Sequence, residues 1–127
     1  MHAPHLLITG KREERKLVCS SEVGTYFELF QKIPGPFMAK MQKGGTKDFG
    51  YCSVTMVHAD HPSTCIGPQG VSITGGHACG FVVTIPNHDF RIYHAGDTNI
   101  FSDMLLIDEL YKPDVAMLPV GDCLGMG

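Results

Sequence analysis

No apolar run in this 127-residue chain approaches the length of a membrane span. Its opening, Met1-His-Ala-Pro-His-Leu-Leu-Ile8, has no basic segment, and its apolar run is too short for a signal peptide. Positive charge is not in excess: the net charge is −3, which gives no electrostatic reason to expect nucleic acid or an anionic membrane as partner. The one charge cluster, Lys11 to Lys16, mixes both signs and reads as a solvated face. C-x-x-C spacing is absent. The five cysteines (Cys19, Cys52, Cys65, Cys79 and Cys123) are odd in number, and three lie inside apolar runs as buried free thiols do, which favours a reducing, cytoplasmic setting. Lack of G-x-S-x-G, a P-loop and G-x-G-x-x-G removes the usual serine-hydrolase, kinase-like and dinucleotide-binding readings. There are no internal repeats or low-complexity stretches.

What is present fits a soluble globular chain, with 43% hydrophobic and 18% charged residues, and the length suits a single domain over 1–127 with a modest core. Leu17 to Ser20 is a short strand. Ser21 is placed to cap a helix running to Lys32, with Val23, Tyr26, Phe27 and Phe30 on one face and Pro34-Gly35-Pro36 as its stop. Phe37 to Met41 suggests a turn of helix and Lys43 to Thr46 a flexible connection. Tyr51 to Ala59 alternates as a strand, with Val54, Met56 and His58 on one face and Ser53, Thr55 and Val57 on the other. A long Gly-, Pro-, Ser- and Thr-rich loop then runs to Gly76.

Cys79 to Ile85 and Phe90 to His94 form a hairpin around Pro86-Asn-His-Asp89. Ser102 caps a last helix whose buried stripe is Met104, Ile107, Leu110 and Tyr111, with Pro113 as its stop. Asp114 to Pro119 is nearly continuous in apolar residues, as a strand covered on both faces is. Residues 90–119 thus read as a strand–helix–strand crossover.

Two segments carry residues suited to chemistry. Val57-His-Ala-Asp-His-Pro-Ser63 offers two imidazoles and a carboxylate at a strand exit, and these are ligands of zinc and related divalent ions. Phe90-Arg-Ile-Tyr-His-Ala-Gly-Asp-Thr98 leaves Asp97 at a strand end in a turn that Gly96 makes tight, where a carboxylate suits metal ligation or proton transfer. Neither is specific alone: H-x-x-H is common in loops, and the Asp of an x-G-D-T turn often only caps a helix-like turn after it. Asp122, between Gly121 and Cys123, is either a site residue or a turn former. His77 and His88 read as exposed turn residues, and His2 and His5 as part of a frayed terminus.

The segments taken in order are more specific than any one of them. His58-Ala-Asp-His-Pro-Ser63, Ala78-Cys-Gly-Phe-Val-Val-Thr-Ile85, Ile92-Tyr-His-Ala-Gly-Asp-Thr98, Phe101-Ser-Asp-Met104 and Lys112-Pro-Asp-Val-Ala-Met-Leu-Pro-Val-Gly-Asp122 together resemble the metallo-β-lactamase superfamily. Within it they are similar to the branch of small metal-dependent hydrolases that includes L-ascorbate-6-phosphate lactonase. The resemblance runs from about Leu17 to Gly127. It implies an α/β fold, part of a four-layered αββα sandwich with mixed sheets. It also implies a divalent metal, zinc or manganese, whose bound water attacks an ester, lactone or phosphoester-like bond of a small-molecule substrate. By the same resemblance His61 is a metal ligand and Asp97 a metal-bridging and catalytic residue. His58, His94 and Asp122 take supporting places around the site.

The sequence also departs from that pattern. The superfamily's H-x-H-x-D-H motif is absent upstream of Leu17, where His2 and His5 lack both its spacing and its acid, and a final histidine ligand would lie past Gly127. The expectation is a chain shortened at both ends, covering roughly the middle half of a family member. A catalytic zinc ion takes about three protein ligands besides water. His61 and Asp97 are two, so the chain alone is expected to lack a complete metal site. The competing reading is a non-catalytic binding or oligomerisation module, self-associating through apolar sheet faces that include Val115, Met117 and Leu118.

Overall fold

The computed structural model describes residues 6–8 and 15–121. Ten strands and two helices follow one another as β1 (Leu6–Ile8), β2 (Lys16–Ser20), α1 (Ser21–Phe30), β3 (Met38–Met41), β4 (Thr46–Asp48), β5 (Ser53–His58), β6 (Thr64–Ile66), β7 (Ser72–Thr74), β8 (Cys79–Ile85), β9 (Phe90–His94), α2 (Met104–Tyr111) and β10 (Val115–Met117). They form a three-stranded sheet β1-β2-β3, a five-stranded sheet β10-β9-β8-β5-β4 and a small hairpin β6-β7. Both larger sheets are mixed: β2 pairs parallel with β3 and β9 parallel with β10, and the other pairs are antiparallel.

Side-chain alternation turns these sheets into layers. Val18, Ala39 and Met41 on the inner face of the small sheet meet Val54, Met56 and Phe81 on the inner face of the large one. Full burial of the larger of these side chains, the valines, methionines and Phe81, stabilises the fold by about 1.5–3 kcal/mol each. On the large sheet's outer face Val57, Val82, Tyr93 and Ala95 pack beneath Ile107 of α2. On the small sheet's outer face, Cys19 and Met38 are buried on the side that faces α1, whose Glu28 meets Lys40 at 2.5 Å. The order helix, sheet, sheet, helix is the expected α/β sandwich with mixed sheets. Among the described residues no helix is long and apolar enough to cross a membrane.

Several local expectations need correction. The cap of α1 is Ser20, whose Oγ accepts from the Val23 N–H, and the helix ends at Phe30 because Lys32 turns left-handed (φ 56°) before Pro34 is reached. Phe37 to Met41 is not helical: a 3-10 turn over Gly35–Phe37 leads into β3, which the parallel ladder with β2 holds extended. The connection after β3 is held in place, because Gly44 N–H donates to Met56 O and Met56 N–H to Gly45 O. The loop to Gly76 contains the β6-β7 hairpin, fastened by Ser63 Oγ donating to Gly76 O.

At the other end of the chain, Asp103 and not Ser102 stands at the α2 N-cap position, without a side-chain capping bond. Leu110, expected in the buried stripe, is 72% exposed. The crossover β9–α2–β10 forms as expected. However, β10 lies at the sheet edge and all three of its residues are exposed, so the strand expected to be covered on both faces is not.

Candidate functional site

Strand direction assembles the site. β5 and β9 both run antiparallel to β8 and so point the same way, and β10 runs parallel to β9. The carboxyl ends of β5, β9 and β10 therefore meet at one edge of the large sheet. The His58–His61 segment, the His94–Thr98 turn and the Leu118–Gly121 segment all leave from that edge. Asp122 lies outside the described residues.

Two contacts lock the first two segments together. An isolated antiparallel bridge joins Asp60 to Asn99, with Asn99 N–H donating to Asp60 O at 2.9 Å. The Asp60 N–H donates to Thr98 Oγ1 at 2.9 Å, and that hydroxyl donates to Asn99 O at 2.7 Å. Thr98 is 3% exposed, so its hydroxyl is a buried and satisfied hinge point. His61 follows Asp60 and Asp97 precedes Thr98, so the bridge sets the two expected ligands on neighbouring backbone segments.

Ring hydrogen bonds distinguish the three histidines. The Nδ1 of His61 lies 2.7 Å from the Pro62 carbonyl oxygen. A carbonyl only accepts, so Nδ1 carries the proton and Nε2 of the neutral ring keeps its lone pair. A backbone carbonyl orienting the far nitrogen is the usual support of a metal-binding histidine. In His94 the polarity is reversed. Its Nδ1 accepts from the Gly96 N–H at 3.1 Å, so the neutral ring carries its proton on Nε2. That bond steadies the turn, where Gly96 sits left-handed at φ 71°. His58 Nδ1 lies 2.7 Å from Lys43 Nζ, and its ring meets Phe101 edge-on at 4.9 Å.

Asp97 is partly exposed, and among the described residues its carboxylate has no hydrogen-bond or ion-pair partner. Cys79, across the ladder from His58, is buried. Burial pushes its thiol up to about 11, with Lys43 lowering it and Cys19 and Glu22 raising it. In the metal-free chain it stays a thiol at neutral pH.

Among the described residues no group of three His, Cys, Asp or Glu side chains is arranged to hold one ion. His61 and Asp97 are brought to adjoining segments, whereas His58 and His94 hold Lys43 and the Gly96 amide. Lys43 belongs to this edge although its stretch reads as a flexible connection; only tertiary contacts bring it there. Thr98 is part of the strand-end motif, but its role in joining the two segments is likewise a tertiary result.

Comparison with known proteins gives a consistent picture. Residues 2–125 match the Beta-lactamase superfamily domain. The chain is 46% identical over 113 residues to a metal-dependent hydrolase of Koribacter versatilis, covering 89% of this chain and 46% of that one. It is 42% identical over 129 residues to a metal-dependent hydrolase of Methanosarcina barkeri, covering 99% and 53%. The chain thus spans about half the length of the curated relatives it matches.

Among solved structures it resembles Igni18, a metallo hydrolase of Ignicoccus hospitalis, at a TM-score of 0.60 and 27% identity, covering 86% of this chain and 42% of that one. It shares the fold of an isothiocyanate hydrolase from Delia radicum gut bacteria at a TM-score of 0.52 and 22% identity, covering 88% and 46%. With the helix–sheet–sheet–helix layering, these matches establish that the chain belongs to the metallo-β-lactamase superfamily.

Proposed function

We propose that this chain carries the part of a metal-dependent hydrolase domain that holds His61 and Asp97. In the whole protein that domain acts on an ester, lactone or phosphoester-like bond of a small molecule. The observation that supports this reading is the Asp60–Asn99 bridge, which sets His61 and Asp97 on neighbouring backbone segments; among the described residues neither His61 Nε2 nor the Asp97 carboxylate has a hydrogen-bond partner. The names of the relatives, metal-dependent hydrolases, support the metal. Because the described residues supply two donors and not three, the chain by itself is expected to hold a divalent ion weakly.

Manganese titration followed by amide NMR tests this. Paramagnetic broadening centred on His61 and Asp97, and lost in His61→Ala, is the expected result. Broadening elsewhere, or unchanged broadening in that variant, refutes the assignment.

A second reading, a binding or oligomerisation module, is favoured by one observation. Val115 and Met117 on the edge strand are 45% and 53% exposed, and Leu118 beyond them is exposed as well. An uncharged edge strand is a ready template for pairing with another chain. Sedimentation across a concentration series, comparing the chain with Met117→Lys, tests for a second copy: dimer that disappears in the variant supports self-association through β10, and monomer throughout rules that out.

A further inference from the structure

The edge that carries His61 and Asp97 also presents a cation, Lys43, that has no ion-pair partner among the described residues. Lys43 sits in the β3–β4 turn, and the two backbone bonds between that turn and Met56 fix where it stands. Its ammonium donates to His58 Nδ1 at 2.7 Å. An ammonium has three N–H donors, so this bond leaves two of them for other acceptors. The ion pairs among the described residues are Lys40–Glu28 and Arg91–Asp89, and neither involves Lys43.

His58 is itself fixed from the other side by Phe101, on the segment that continues from Asp97 through Thr98 and Asn99. An imidazole that accepts from the ammonium brings no negative charge, and among the described residues no carboxylate pairs with Lys43. Partial burial reduces the screening of the ammonium charge by water, although the same desolvation lowers the Lys43 pKa, with Cys79 opposing.

We propose that Lys43, steadied by His58, is an anion-binding position that receives a negatively charged oxygen group, such as a phosphate or carboxylate, of the substrate. Two ammonium N–H groups donate to that oxyanion, and the edge-on Phe101 ring holds the imidazole behind them. That the anion belongs to a substrate hydrolysed at the His61–Asp97 edge rests on the hydrolase reading; the affinity of Lys43 for an oxyanion does not.

The test uses the chain in chelator-treated buffer, so that no metal contributes, with inorganic phosphate and, separately, acetate as probes at constant ionic strength. His58 ring resonances report on the site. Saturable shifts with either anion are expected, and affinity at least about tenfold weaker in Lys43→Gln, the scale of losing a charge-assisted hydrogen bond. Lys47→Gln, which removes an exposed charge from neighbouring β4, should leave the affinity unchanged. Shifts with phosphate alone assign the position to phosphate groups, and shifts with acetate alone to carboxylates. Absence of saturable shifts with both anions overturns the proposal. So does equal weakening by Lys43→Gln and Lys47→Gln, which would show only general charge attraction. Failure of the manganese experiment with success of this one removes the hydrolase reading and leaves the anion position standing.

Discussion

Gly80 offers the sharpest test of how the candidate site is positioned. It lies within β8, and its backbone is not left-handed, so it is needed for space and not for conformation. An added Cβ would stand 2.7 Å from the His94 carbonyl oxygen, 2.8 Å from that of Ala95 and 3.0 Å from the Ala95 carbonyl carbon. Comfortable non-bonded approach is roughly 3.5–4.0 Å, and all three atoms are backbone, so no flexible side-chain end can swing away. The exit of β9 must lift by several tenths of an ångström, carrying Gly96 and Asp97 with it. Overpacking of this kind costs about 1–3 kcal/mol, and reduced freedom of the unfolded chain returns about 0.4–1 kcal/mol.

The expected net loss for Gly80→Ala is therefore about 1–2 kcal/mol, a melting temperature lower by roughly 4–8 °C. Urea denaturation gives the stability, and amide NMR gives the displacement at residues 94–98. Gly44→Ala is the control. Gly44 is left-handed at φ 81° with nothing within 4 Å of an added Cβ, so it should lose about 1–2 kcal/mol from backbone strain alone and leave the 94–98 amides unmoved. If Gly80→Ala keeps its stability within about 0.5 kcal/mol and those amides stay in place, the close approach of the β9 exit to Gly80 does not position Asp97.

Three further outcomes concern buried groups. Thr98→Val removes the acceptor of the Asp60 N–H; a loss of about 1–3 kcal/mol and faster hydrogen exchange at Asp60 are expected, and unchanged exchange would refute the joint. The Tyr93 hydroxyl is buried with no hydrogen-bond partner among the described residues, so Tyr93→Phe should be neutral or stabilising by up to about 1 kcal/mol; a loss above about 1.5 kcal/mol in urea denaturation would contradict this. The thiols of Cys19 and Cys79 are pushed by burial from 9.0 to about 11 in the folded chain. The unfolded chain therefore loses these protons first, and stability present below pH 9 declines as pH rises towards about 11, by on the order of 2 kcal/mol per thiol. Lys43, lowered by its burial with Cys79 opposing, acts in the other direction but is partly exposed and smaller in effect. Urea midpoints that stay level from pH 8 to 11 would refute the assignment.

Legibility in the sequence tracks the range of the interaction. The two faces of β5, the turn at Pro86–Asp89 and the β9–α2–β10 crossover depend on neighbours in sequence and on alternation, and they can be read directly. Ser21 reads as the cap of α1, but Ser20 serves, because the cap depends on where β2 stops, and that is set by its ladder to Met41. The β6–β7 hairpin is hidden by loop-like composition, because a three-residue strand has too few residues to show a period. The exposure of β10 escapes the sequence for a related reason: an apolar run records that a strand is suited to burial, not whether a layer lies against it.

For the site, the residue types alone mark His61 and Asp97 as chemically apt, and their order with the surrounding segments points to the superfamily. By that resemblance, counting His61 and Asp97 leads to the expectation of further ligands. Tertiary structure decides the rest. It alone joins the 60–61 and 97–99 segments, 38 residues apart at the Asp60–Thr98 bond, and it alone orients the imidazoles, with His61 Nε2 free and His94 turned to the Gly96 amide. It also makes Lys43 part of the site edge. The physical reason is that composition and spacing encode what a side chain can do, whereas which lone pair or proton it presents depends on a partner that only folding supplies.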